Sequence, residues 1–206
     1  MENTAVVPHS IYAESTPNPS TMKFVSNKYL VIDGQDYEYG LDDDTKDSPL
    51  AAKLLNFPFI SNVFIASNFI SITKTDIIDW EDVIAQIREF LADFLNSGGQ
   101  VINTSTSQDN ENNLGNNDGL QSPKREDLQG IDAKISDILE DYIKPAVESD
   151  GGAIHFHSYA DGKVSVVLKG ACSGCPSSTM TLKAGIENLL KEMLPGQIEE
   201  VIAING

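Results

Sequence analysis

Two cysteines, Cys172 and Cys175, are the whole thiol complement of this 206-residue chain, and both stand in the run ACSGCPSS. Two thiols at that spacing can form a disulfide, work as a dithiol redox pair, or supply half of a thiolate site for zinc or an iron–sulfur cluster. Their placement bears on which. Apolar strand-like residues precede them, and Pro176 suits the first position of a helix, which makes Cys175 its N-cap. The backbone N–H groups of Ser177 and Ser178 then face the Cys175 sulfur, and the positive end of a helix lowers a thiol's pKa. Gly174 allows a tight turn. From Gly162 to Ile186 there is no Asp or Glu, whereas Lys163, Lys169 and Lys183 are present. The expectation is a site that tolerates anionic sulfur.

A tetrahedral zinc site or an iron–sulfur cluster normally takes four protein ligands, and the chain supplies two thiols. His155 and His157 alternate along one strand and share a face opposite Ile154 and Phe156. That pattern reads as a solvent-facing strand rather than a ligand pair. His9 lies in the N-terminal tail and marks nothing. A second copy of the chain is the simplest source of two more thiolates, with a two-fold axis through the site. Against a dithiol redox enzyme, one helix and one strand after the cysteines are too little chain for a thioredoxin-like sheet. The zinc and iron–sulfur alternatives stay open on spacing alone.

The elements that must hold the pair follow from hydrophobic period. The segment 131–206 reads α-β-β-α-β. Ile131, Ile135, Ile138, Leu139, Tyr142, Ile143, Ala146 and Val147 share a helical face, with Pro145 expected to kink or break the helix and Gly151 or Gly152 to end it. A hairpin turns at Asp161-Gly162. After the cysteines, Leu182, Ile186, Leu189, Leu190 and Met193 line one face of a helix that stops at Pro195-Gly196, and IEEVIAI is the last strand. Residues 1–96 form a second α+β domain. Its strands are MKFVSNKYLVI and FISNVFIASNFISITK, with a hairpin turn at ASN. Its helices start at Ser48-Pro49 and at Asp79. Residues 97–130, rich in Asn, Gly, Ser, Asp and Gln, read as a flexible linker. Nothing in residues 1–96 clusters titratable or metal-binding groups, and no catalytic constellation is visible anywhere. An enzyme is not expected.

Composition narrows the partners. The net charge is −17, a surface that repels phosphate backbones and anionic membranes, so nucleic acid and membrane are expected to be absent from the partner set. No apolar run reaches the roughly 20 residues of a membrane-spanning helix. The opening MENTAVVPHS lacks the layout of a secretory signal or transit peptide. Two cysteines do not make a disulfide framework. A cytoplasmic, reducing setting is therefore expected.

The segment DGGAIHFHSYADGKVSVVLKGACSGCPSSTMTLKAGIENLLKEMLPGQIEEV resembles the C-terminal domain of the NifU/Nfu family of iron–sulfur cluster carriers. TPNPSTMKF, SPLAAKLL and the DWEDV helix resemble the family's Nfu N-terminal module. The resemblance implies a labile [4Fe–4S] cluster, with [2Fe–2S] as the alternative, bound between two subunits by Cys172 and Cys175 of each. It also implies an upstream assembly scaffold as donor and apo iron–sulfur proteins as recipients. The ferredoxin-like cysteine set and the IscU-like domain of a full NifU are missing, so the first assembly step is expected to happen elsewhere.

Overall fold

Residues 7–32, 34–103, 122–123, 127–173 and 176–205 are described by a computed structural model, which mixes helices and strands in two separate units. Most of the linker read from the sequence, residues 104–121 and 124–126, lies outside the described residues. So does Cys175.

The N-terminal unit is built on a five-stranded sheet with strands β1 (Ile11–Ser15), β2 (Thr21–Ser26), β3 (Asp36–Gly40), β4 (Ile60–Ala66) and β5 (Phe69–Lys74) in the order β1-β2-β5-β4-β3. β4 and β5 form the expected hairpin, with Ser67 at a φ of 47° in its turn. β1 and β3 were not legible as strands. Both are edge strands, with one buried residue each, Ile11 and Tyr39, so neither carries the apolar pattern of a strand covered on both sides. β2 ends at Ser26, earlier than its apolar sequence suggests. Beyond it the chain turns, and Leu30 and Val31 donate backbone hydrogen bonds to the Ser67 carbonyl.

Helix α1 (Pro49–Leu54) is capped as expected: the Ser48 Oγ accepts from the Ala51 N–H at 3.1 Å. Asp79 occupies the N-cap position of α2 (Trp80–Asn96), but its side chain makes no capping bond. α2 buries Val83, Ile87 and Leu91, which join Phe24, Leu50 and Leu54 in the core.

The C-terminal unit follows the order read from the sequence. Helix α3 (Ile131–Ile138) runs through a π-helical turn (Leu139–Ile143) into α4 (Lys144–Ser149). Pro145 lacks an N–H to donate to the preceding turn. The helix absorbs this by widening to the π pattern rather than breaking. The wider turn rotates the face, and Tyr142, expected in the core, is exposed. Gly151 has a φ of 85° just after α4. Strands β6 (Gly152–Ala160) and β7 (Lys163–Gly170) are antiparallel, and their turn holds Asp161 and Gly162 at φ values of 50° and 78°. Helix α5 (Pro176–Met193) crosses to β8 (Glu200–Asn205), which pairs in parallel with β7.

The alternation expected of His155 and His157 is interrupted. Phe156 pairs with Val166 and Ser158 with Ser165, so His157 is the extra residue of a β-bulge. The bulge resets the phase of the strand. Tyr159 then packs on the core side and donates from its hydroxyl to the Gln197 carbonyl at 2.8 Å.

Candidate metal site at the β7–α5 turn

Cys172 stands where the sequence places it, in the turn between β7 and α5. Gly170 ends the strand at a φ of 64°, a left-handed conformation that suits glycine. The turn is held from several sides. The Ser173 Oγ and backbone N–H both donate to the Gly170 carbonyl, at 2.8 and 3.1 Å. The Ala171 N–H donates to the Gly151 carbonyl at 3.1 Å. From the first turns of α5, the Thr179 hydroxyl donates to the Cys172 carbonyl at 3.2 Å.

The thiol itself points inward. Cys172 is 7% exposed and belongs to the hydrophobic core of this unit. Burial, and secondarily the negative charge of Asp150, push its pKa up to about 11. This differs from the anionic sulfur expected at this turn. The helix-terminus argument applies to a residue in the cap position, and Cys172 precedes α5 by several residues on the core side. The excess of positive charge is also smaller in space than along the chain. Asp150 lies near Cys172, and Lys183 is paired with Glu200 at 3.2 Å. Neither partner falls within the acid-free run. The sequence reading missed both, because they come from elements outside it.

Among the described residues, no three His, Cys, Asp or Glu side chains gather into a group that could hold a metal ion. His155 and His157 sit on β6 and join no such group. The donor set in this turn is therefore sulfur, which suits zinc or an iron–sulfur cluster. The fit is conditional. A buried, protonated thiol becomes a ligand only after it turns outward and loses its proton. Beside the turn, an open groove of about 390 Å³ runs between α5 and β8, lined in part by Met180, Ile202 and Ala203, with Met180 largely exposed. No helix among the described residues is long and apolar enough to cross a membrane.

Comparison with known proteins bears on the same segments. A family model described as "Scaffold protein Nfu/NifU N terminal" matches residues 11–98, and one described as "NifU-like domain" matches residues 135–202. The chain is 31% identical over 191 residues to "NFU1 iron-sulfur cluster scaffold homolog, mitochondrial" of Drosophila willistoni, covering 93% of this chain and 62% of that protein. It is 33% identical over 182 residues to "NifU-like protein 4, mitochondrial" of Arabidopsis thaliana, covering 87% and 61% respectively. The chain thus spans somewhat over half the length of these curated relatives. A solution structure of a NifU-like protein from Saccharomyces cerevisiae aligns at 24% identity over 50% of this chain and 91% of that one, with a TM-score of 0.43.

Proposed function

The chain belongs to the Nfu/NifU family of iron–sulfur scaffold proteins, and from that premise we propose that it carries a labile [4Fe–4S] cluster between two copies of itself, ligated by Cys172 and Cys175 of each. The cluster is cargo, received from an upstream scaffold and passed to apo iron–sulfur proteins. The carrying observation is the turn at Cys172, clamped by Ser173 and Thr179 and lying within the segment that matches the NifU-like domain. Two thiols per chain are half of the usual four ligands. The exposed Met180 and Ile202 beside the turn offer apolar surface for a second copy.

The family is one of scaffolds rather than enzymes, and the single helix and single strand described after the cysteines leave too little chain for a thioredoxin-like redox sheet. A site shared between two chains also opens more readily than four ligands in one chain, as delivery requires. The N-terminal unit then serves target choice or local concentration rather than cluster chemistry. A cytoplasmic setting remains part of this reading, although the relatives named above are mitochondrial by name.

Anaerobic reconstitution tests it. The wild-type protein should bind iron and sulfide at about two chains per four irons and run as a dimer by light scattering, the oligomer forming with its ligand. Serine at Cys172 or at Cys175 should abolish stable binding, because each change removes two of four ligands. A loaded monomer, or full iron content in Cys175→Ser, would sink the shared site.

A further inference from the structure

Three glycines surround the cysteine turn, and they are glycine for different reasons. Gly151 and Gly170 have positive φ values of 85° and 64°, which a side chain rarely tolerates. Gly152 does not appear among the glycines with positive φ, so its backbone conformation does not demand glycine. Space does. A Cβ on Gly152 would lie 2.7 Å from the Cys172 Sγ, 3.0 Å from the Cys172 Cβ and 2.7 Å from the Lys169 carbonyl oxygen. The Lys169 carbonyl belongs to β7, paired with β6 across the Gly152–Gly170 register, and cannot withdraw without loosening that ladder. The cysteine side chain is the neighbour that can move.

We propose that Gly152 is a positioning residue for Cys172: the space left by its missing side chain is a socket that keeps the thiol inside the core of the cargo-free chain. This rests on the carrier reading for its purpose, though not for its geometry. To ligate, Cys172 leaves the socket, gives its proton to solvent and presents sulfur to iron. When iron passes to an acceptor's thiolate, the Cys172 sulfur takes a proton from water and returns. Reburial of the thiol then competes with ligation at every transfer. A socket that competes with the cargo keeps binding weak enough to be reversed, which a carrier requires and a permanent holder does not. The clamp from Thr179 to the Cys172 carbonyl lets the side chain turn while the backbone stays in place.

The test uses the full-length, cargo-free protein and iodoacetamide, with each cysteine followed by mass spectrometry. In the native wild type, Cys172 should label at least about tenfold more slowly than in urea, because a thiol in the core is shielded from the reagent. Gly152→Ala, with its native circular dichroism retained, should raise the native Cys172 rate by about tenfold. Ile186→Ala is the control. It loosens the same core away from the socket and should leave the ratio of Cys172 to Cys175 labelling near the wild-type value. Full-rate labelling of Cys172 in the native wild type overturns the proposal, as does a folded Gly152→Ala that leaves Cys172 protected. Equal exposure of Cys172 in Gly152→Ala and Ile186→Ala also overturns it, since the effect would then be general destabilisation. If Gly152→Ala does not fold, Gly152→Ala combined with Cys172→Gly removes both crowded cysteine atoms, leaves only the contact with the Lys169 carbonyl, and should recover part of the native spectrum. A double variant no better folded than Gly152→Ala refutes the assignment to Cys172. Iron content is measured separately, so a protected thiol in a protein that binds no cluster would refute the carrier and leave the socket standing.

Discussion

The N-terminal unit fills its core with hydrocarbon, with Phe24, Leu50, Leu54, Ile87 and Leu91 all fully buried. The C-terminal unit surrounds Ile135, Leu168, Ile186 and Leu190 in the same way, but it admits the Cys172 thiol to the cluster. In the first unit, a buried polar group such as Ser48 is committed to structure. Its Oγ caps α1 and donates to the Val101 carbonyl at 2.8 Å. In the second, the buried reactive group, the Cys172 thiol, is held by packing beside a turn. Under the proposed carrier role, the difference teaches how a small domain would store a ligand: a thiol is apolar enough to be buried when protonated and becomes a strong ligand when exposed and deprotonated.

The largest effects expected are on packing. Leu54→Ala and Leu168→Ala each empty a fully buried site, and each should destabilise its own unit by about 2–5 kcal/mol in urea unfolding. Their consequences for cargo should differ. Leu168 pairs with Ile154 on β6 and stands just before Gly170, so its loss loosens the strands that frame the turn. Iron content after reconstitution should fall in Leu168→Ala and hold at the wild-type level in Leu54→Ala. Equal losses in both would break the division of labour between the units.

Ser48→Ala should cost about 1–2 kcal/mol, at the upper end for an N-cap, because it also strips the Val101 carbonyl of its donor. This loss belongs to the N-terminal unit. It should appear as a lower urea midpoint with no change in the cysteine labelling pattern. A changed pattern would mean that the cap supports the cysteine turn as well.

Legibility followed the same division. The helix caps at Ser48, the Asp161-Gly162 turn and the order of elements after residue 131 could be read from the sequence, because each rests on local chemistry or on an unbroken period. The edge strands β1 and β3 could not, since an edge strand has little apolar pattern to show. The bulge at His157 and the π-helical turn before Pro145 shift the phase by a residue. Regular periods therefore misplaced Tyr142 and the relation of His155 to His157. For the candidate site, the motif could be read and the state of the thiol could not. That state follows first from burial in the core and then from Asp150, which is distant along the chain and near in space.

The smallest effect expected concerns acid. In the C-terminal unit, Glu187 on α5 accepts from the Lys191 Nζ at 2.5 Å and from the Val201 N–H of β8 at 3.1 Å. The bond from Lys191, and then the one from Val201, hold its carboxyl below the usual range. In the N-terminal unit, Asp44 is also held low, by Lys46 two residues away, but that pair joins only one exposed loop to itself. Of these two carboxylates, Glu187 is the one that ties a helix to a strand. A depressed carboxyl contributes stability above its unfolded pKa of about 4.3, and the contribution is lost as pH falls below that value through the folded pKa. Glu187→Gln keeps an acceptor for the Val201 N–H but gives up the charge, so at pH 7 it should cost about 0.3–0.5 kcal/mol, as other partly exposed pairs one helical turn apart do. As pH falls through the folded value the wild-type carboxyl takes up its proton, and the two proteins should converge. Urea midpoints of wild type and Glu187→Gln at pH 7, 5 and 3 measure this. A gap that persists undiminished at pH 3 would mean that the amide fails to replace the bond to β8, and that geometry rather than charge joins α5 to the edge of the sheet.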